Sequence, residues 1–502
     1  MSNLFLAALS DVFSLEVLLL LFVGTVFGII GGATPGISGA MTLALFLPIS
    51  YSLAPTGAIS MMIALFVGAM SGGLIAAVLL KIPGTPASVA TTFDGIPLAE
   101  KGDAGKALGV GIVFSFIGGI FSIILLILVA PTLARVTIEF SYYEYFAIGV
   151  FSLTIISAIG GTSTLKNFIG GLFGFFISFV GSGAVSPFPR FTMGIRELRG
   201  GFNILTVMIG FYAVTQLIEA ALERNQPASA EVDIHPSSVK IKGFGFSWQE
   251  FKGQIGNALI ASSIGAGIGI LPGLGGGVAN LASYAAVKKH SRHPEKFGTG
   301  IIDGVVASEA SNNATVGGAL IPLMALGIPG DNATAVLLAS FMVKGITPGP
   351  LLFEKHAQLV YGIFIAAFLA HFFMIAVEFI GIRAFVRILA VKRYILLPIV
   401  ASLCVVGAYT VNNRVFDIWC IIGFGVLGYV LKKFGFSLAT VILGIILGPI
   451  VELNYCRGMQ RSLGSFAPFV TTPISGAILG IAVVMLIWTL YSSLKRGMTG
   501  NT

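Results

Sequence analysis

The chain has 502 residues, of which 56% are hydrophobic and only 10% charged, against a charged share of roughly 25% in soluble domains. A mean hydropathy of +0.97 excludes water as its main solvent. The formal charge of +8 does not mark a nucleic-acid binder, because the cations fall in short segments between apolar stretches and no basic, aromatic-rich domain is present.

A helix needs about 20 apolar residues to cross a bilayer. In chain order such stretches cover residues 15–32, 108–130, 143–159, 168–179, 202–220, 359–380, 418–431 and 474–494, with shorter or Gly/Pro-broken ones between them. The expectation is an all-α polytopic membrane protein with about ten to twelve transmembrane segments. No Lys or Arg precedes Lys81, so the first apolar stretch lacks the basic flank of a secretory signal and is expected to stay in the membrane. The positive-inside rule puts the N-terminus outside the cytoplasm and residues 288–296 (KKHSRHPEK), 383–393, 432–433 and 495–496 inside it. The division expected is a membrane half over 1–223, a polar connecting segment over 224–254 and a second membrane half over 255–502. Cys404, Cys420 and Cys456 have neither paired nor CxxC spacing and read as packing residues.

The two halves resemble each other. GIIGGATPGISG, starting at Gly28, aligns without a gap with GAGIGILPGLGG, starting at Gly265. Further on, residues 71–88 (SGGLIAAVLLKIPGTPAS) align with 316–334 (VGGALIPLMALGIPGDNAT), matching Pro83-Gly84 to Pro329-Gly330. Glycines four apart, such as Gly28/Gly32 and Gly265/Gly269, give smooth ridges for close helix packing. Pro-Gly pairs differ: Pro removes a backbone donor and Gly permits left-handed turns, so each of the four pairs should interrupt a helix. Freed backbone groups persist in hydrocarbon only where protein, ligand or a watery cavity satisfies them. Discontinuous helices at matching places of two halves are the architecture of secondary transporters. The uncharged connection at residues 51–55 corresponds to the basic one at 288–296, so the repeats should be inverted, with re-entrant hairpins.

Beside the breaks stand the polar candidates. Pro35, Gly36, Ser38 and Gly39 mark the first break, Pro83, Gly84, Thr85 and Ser88 the second, Pro272, Gly273, Gly275 and Gly276 the third, and Pro329 with Gly330 the fourth. Helix ends and hydroxyls at these places suit an anionic substrate. Asp94, Asn280, Glu309, Asn312, Asn313, Asp331, Asn332 and Thr334 offer oxygens for a coupling cation such as sodium, or in Glu309 for a proton. Asn312 and Asn313 can equally cap broken helix ends. Lys81 reads as snorkelling and His290 with His293 as solvated, whereas His371, near Glu378 in an apolar span, reads as a buried hydrogen-bonded histidine or a proton relay. No cofactor is indicated beyond sodium ions, and no Walker loop, HExxH or nucleophile–base pairing is present.

The segments GATPGISG (32–39), KIPGTPAS (81–88), TTFDG (91–95), LPGLGGG (271–277), residues 303–318 and ALGIPGDNATAVLL (325–338), with GITPGP (345–350), resemble the large TctA-like permease of the tripartite tricarboxylate transporter family. The resemblance runs from about Gly24 through at least Phe353. It implies a permease of the bacterial inner membrane that is not an enzyme. It also implies a small TctB-like membrane subunit and a periplasmic TctC-like solute-binding protein as partners, coupling to a sodium or proton gradient, and carboxylates such as citrate as substrates. The sequence departs from that pattern where Thr85 follows Pro83-Gly84 and Asp331 follows Pro329-Gly330, since many members carry an acid at the first place and a small residue at the second. A receptor-independent anion channel and a membrane-embedded enzyme are the alternative readings.

Overall fold

The computed structural model describes residues 2–34, 37–159, 164–183, 185–186, 188–222, 243–389 and 393–499. Pro35, Gly36 and the connecting segment up to residue 242 lie outside the described residues. Two compact units emerge, each drawn from both halves of the chain: residues 1–134 with 220–402, and residues 135–219 with 403–502.

The first unit opens with α1 (Ser2–Val12), α2 (Leu15–Ala33), α3 (Gly39–Ser50), α4 (Pro55–Leu79), α5 (Val89–Glu100) and α6 (Ala104–Thr137). Phe27 of α2 packs on Phe46 of α3, and Gly31 abuts Thr42, so the two helices form an antiparallel hairpin. Gly24, Gly28 and Gly32 meet Met61, Leu65 and Ala69 in register, so α4 runs parallel to α2. Each of these glycines lies against a backbone carbonyl where a Cβ would collide, the close approach expected of small residues in lipid.

The second unit takes up α7 (Tyr142–Ile159), α8 (Thr164–Ile177), α9 (Ile204–Met208) and α10 (Thr215–Leu222), with a π-helical stretch at Ile209–Val214. A two-stranded ribbon, Gly181–Ser182 with Pro189–Arg190, precedes α9, and Arg190 forms a bidentate pair with Glu452 at 2.7 and 3.1 Å.

The first unit resumes with α11 (Trp248–Ile270), α12 (Gly275–His290), α13 (Ile302–Leu326), α14 (Asn332–Val343), α15 (Pro350–Lys355) and α16 (Ala357–Leu389). The hairpin recurs, with Ser283 of α12 donating to the Ala261 carbonyl of α11 at 3.3 Å. The parallel packing recurs too, since Gly265 meets Ser311 and Gly269 meets Thr315 of α13. Thr91 of α5 meets Ser308, while Asp94, a turn further along, lies beside Gly304. Hence α5 and α13 are antiparallel; since Gly73 and Val78 of α4 meet Ser88 and Gly95 in that order, α5 runs parallel to α4, so α4 and α13 point opposite ways and the second repeat is inverted relative to the first.

The chain ends with α17 (Arg393–Asn412), α18 (Val415–Lys433), α19 (Leu438–Arg461), α20 (Ala467–Thr471) and α21 (Pro473–Thr499). Seven described helices are long and apolar enough to cross a membrane, fewer than the ten to twelve expected. The arms α3 and α14 are too short to cross alone, and α13 carries too many polar side chains to register as apolar despite its 25 residues. Residues 57–79 of α4 and 304–325 of α13 are buried throughout, so these central helices are walled by protein rather than lipid.

Candidate functional site

All four helix interruptions are realised: α2 stops at Ala33 and α3 starts at Gly39, α4 stops at Leu79, α11 gives way to α12 between Ile270 and Gly275, and α13 stops at Leu326. The local chemistry is distinct at each. Ser38 caps α3, its hydroxyl accepting from the Met41 amide at 3.2 Å. At the second break Lys81 takes a left-handed φ of 57°, pairs with Glu100 at 2.8 Å, and the Ser88 hydroxyl accepts from the Thr85 amide at 3.2 Å. Gly273 turns the α11–α12 hairpin with φ 84°, a conformation that favours glycine, and its amide donates to the Gly330 carbonyl at 2.8 Å. At the fourth break Gly327, φ 73°, closes α13. Asp331 then caps α14, accepting from the Thr334 amide at 2.8 Å and the Thr334 hydroxyl at 2.7 Å.

The repeat holds at the level of single atoms. Gly84 lies against the Gly32 carbonyl and Gly330 against the Gly269 carbonyl, so each second break seats on the hairpin of its own repeat. A lysine also follows α5 and α14 at the same place. Lys101 donates to the Thr299 carbonyl at 2.6 Å, in the α12–α13 connection. Lys344 donates to the Tyr51 and Leu53 carbonyls at 2.9 and 2.6 Å, in the α3–α4 connection. Each repeat thus clasps the other.

The second hairpin brings the breaks together. Its tip wedges Gly275 against Asp331, Gly276 against Met70, Ala87 and the Asn312 side chain, and Gly277 against Pro86. Asn280, one turn on, donates to the Ala87 carbonyl, and Asn312 donates to the Met70 carbonyl at 2.8 Å. Thr85 and Ser88 flank the same Pro86-Ala87 turn. Ser38 and Gly39 belong to the other hairpin, where a Cβ added to Gly39 would lie 3.6 Å from that of Ala69.

Several oxygens of these elements are buried and unpartnered: Asn280 Oδ1, Asn312 Oδ1, Asn313 Oδ1, Ser311 Oγ, Thr85 Oγ1 and Asn332 Oδ1, of which Asn312 Oδ1 lies against the hairpin tip at Gly276. Buried acceptors without donors are costly and rare, and such carbonyl and hydroxyl oxygens are the ligand type of a hard cation. The N-terminus of α12 differs from those of α3 and α14 in having no side-chain cap. Its first amides, from Gly275, Gly276 and Gly277, are of the kind that binds anions.

Glu309 and Asp94 are fully buried but occupy other settings. Glu309 accepts from Thr91 at 2.5 Å and Ser115 at 3.0 Å. The Thr91 and Ser308 hydroxyls lie 2.5 Å apart, and either can donate to the other. Asp94 Oδ1 accepts from the amides of Gly298, Gly300 and Ile301 at 2.8–3.0 Å, and Oδ2 from Tyr284 at 2.8 Å. Four donors occupy it, at the start of α13 rather than among the breaks. Ser71, Ser115 and Tyr284 escaped the sequence reading because a single hydroxyl in an apolar helix carries no signal until its partner across the bundle is known. Among the described residues no group of three His, Cys, Asp or Glu side chains is placed to hold a metal.

Apolar spans and inverted repeats of interrupted helices, closing on buried oxygens, define a multi-pass membrane protein with an internal polar site. The chain matches the tripartite tricarboxylate transporter TctA family over residues 18–443 and belongs to it, the family of the large subunit of these transporters. An uncharacterized 52.8 kDa protein in the TAR-I ttuC' 3' region of Agrobacterium vitis is 32% identical over 474 residues, covering 94% of this chain and 93% of the relative. A second uncharacterized protein of that organism, in the TAR-II ttuC' 3' region, is 36% identical over 228 residues, 45% of this chain and 94% of the relative. No solved structure matches the chain.

Proposed function

We propose that the protein is the large permease subunit of a binding-protein-dependent secondary transporter that imports small carboxylates across the bacterial inner membrane, driven by a cation gradient. The observation that carries this reading is the convergence of the α11–α12 tip on the breaks at Pro83 and Pro329, with unpartnered oxygens of Asn280 and Asn312 beside uncapped amides of α12. A substrate carboxylate docks on the amides of Gly275, Gly276 and Gly277, and sodium is held by the Asn280 and Asn312 oxygens. Asp331 lies next to Gly275, so a multivalent anion meets a carboxylate there unless a cation enters with it, which makes cation binding a condition of occupancy. Movement of one repeat against the other alternates access. A small TctB-like membrane subunit and a periplasmic TctC-like receptor complete the system. The N-terminus faces the periplasm, where a recess of about 510 Å³, lined in part by Asp11, Thr56, Lys344, Glu354 and His356, gives the receptor an entrance to serve.

The test is accumulation of labelled citrate in vesicles holding the permease and its small subunit, with and without the receptor, under imposed sodium or proton gradients. Uphill uptake requiring both receptor and gradient is expected, whereas downhill, receptor-independent flux would make the protein a channel. Asn312→Ala should raise the sodium concentration for half-maximal uptake by about tenfold, the loss of roughly 1.4 kcal/mol of binding; an unchanged sodium dependence removes Asn312 from the cation site.

A further inference from the structure

Glu309 is not the one carboxyl sealed in the first unit. Glu378 of α16 is also fully buried; its Oε2 accepts from the Ser71 hydroxyl of α4 at 2.9 Å and its Oε1 has no hydrogen-bond partner. The pair echoes Glu309 with Ser115. Helices α4 and α13 hold equivalent places in the two repeats, as do α6 and α16, so both crossings are joined by a carboxyl and a serine. Between the repeats, carboxyl and hydroxyl have exchanged sides.

Among the described side chains the charged groups of the helices packed on Glu378 stand toward helix ends or on other faces. Helix α4 carries no titratable residue, α2 only Glu16 in its first turn, and α1 only Asp11 near its end. Short α15 has Glu354 and Lys355, and α6 has Lys106 and Arg135 toward its two ends. Across the bundle α13 supplies Asp303 and Glu309, α16 itself carries Tyr361, His371, Arg383 and Arg387, and α11, whose approach packs Phe244 on Phe379, carries Glu250 and Lys252. Among the described side chains none of the cations forms an ion pair with Glu378. His371 Nδ1 lies 2.8 Å from the Ala367 carbonyl, which can only accept, so Nδ1 carries the hydrogen. Its buried, unpartnered Nε2 faces Gly119 of α6, on the face of α16 that Glu378 shares two turns on, about 10 Å away along the axis.

A carboxylate so placed is prohibitive unless its charge is cancelled. A hard cation calls for about six oxygen ligands, and this site presents one carboxyl and one hydroxyl. We propose that Glu378 is a proton-binding site of the permease, separate from the asparagine oxygens, taking up a proton from the aqueous phase on Oε1 and returning it when the α4–α16 contact opens. Its part in the transport cycle rests on the transporter reading, whereas the protonation does not.

The test is infrared difference spectroscopy of the purified protein between about pH 5 and about pH 9, a range that includes documented buried carboxyls. A carboxylic C=O band that rises and falls with pH, is lost in Glu378→Gln and shifts in Ser71→Ala, where the hydrogen bond is removed without touching the carboxyl, is the expected result. A spectrum in which no titrating band is lost in Glu378→Gln overturns the proposal, whatever the vesicles do. Where the band behaves as expected, proton-gradient-driven citrate accumulation should fall at least tenfold in Glu378→Gln. Absence of citrate uptake by the unsubstituted protein, with the band intact, would instead count against the transporter reading alone.

Discussion

Asp94 shows how one side chain can look like an ion ligand and behave as an anchor. It is an acid in an apolar region, next to a break, which is where functional carboxylates are expected. Its oxygens are taken by three amides and a tyrosine hydroxyl, and those donors shape the turn into α13. Asp94→Ala would leave these groups without their acceptor and should cost on the order of 3 kcal/mol, and Asp94→Asn less, since an amide oxygen remains. Both should lower the melting temperature in detergent while leaving the sodium dependence of uptake unchanged; a shifted sodium dependence would return Asp94 to the cation site. Glu250, at the exposed start of α11, gives a pH-dependent case. The Lys106 ammonium first, and then the Ser247 amide, hold its carboxyl down at about 2, below the ordinary value of about 4.3. A depressed value stabilises the fold above the ordinary pKa and is lost as pH falls through the depressed one. The melting-temperature gap between the unsubstituted protein and Glu250→Gln should therefore be complete at neutral pH and close between about pH 4 and about pH 2.

At the scale of elements, glycine and lysine do different jobs at matched positions. Glycine carries the helix-to-helix approaches, and its spacing in GIIGGATPG and GAGIGILPG makes both hairpins legible in the sequence. The clasps were not legible, because Lys101 and Lys344 donate to carbonyls roughly 200 and 290 residues away in sequence and a carbonyl leaves no mark in the sequence. Lys344→Met should speed hydrogen exchange in the peptide holding residues 51–54 and leave residues 297–301 protected; Lys101→Met should do the reverse. Equal loosening of both connections would show that the clasps do not act locally.

The whole molecule turns on the inversion of its repeats. The contrast between the uncharged first hairpin connection and the basic second one foretold it, and the antiparallel run of α5 past α13 realises it. In a variant with the native cysteines replaced, Ser52→Cys and Ser291→Cys should be labelled by a membrane-impermeant thiol reagent from opposite faces of the membrane; labelling from one face would refute inversion. The assignment of residues to units was beyond the sequence, which reads as two consecutive halves while the compact units interleave them. Hydropathy is a local property, and the pairing of segments is not.

By itself the sequence determined the solvent, the helices, the four interruptions and the family, because each depends on composition or short-range pattern: apolar length, Pro-Gly chemistry and motif order. Only the tertiary structure decided which polar groups meet. It set Asn280 on the Ala87 carbonyl and Asn312 on the Met70 carbonyl of the opposite repeat, gave Asp94 three amide donors and a tyrosine hydroxyl, and sealed Glu378 against Ser71. Those outcomes rest on contacts across about 200 to 300 residues, where a single serine or asparagine acquires its meaning from the atom it faces.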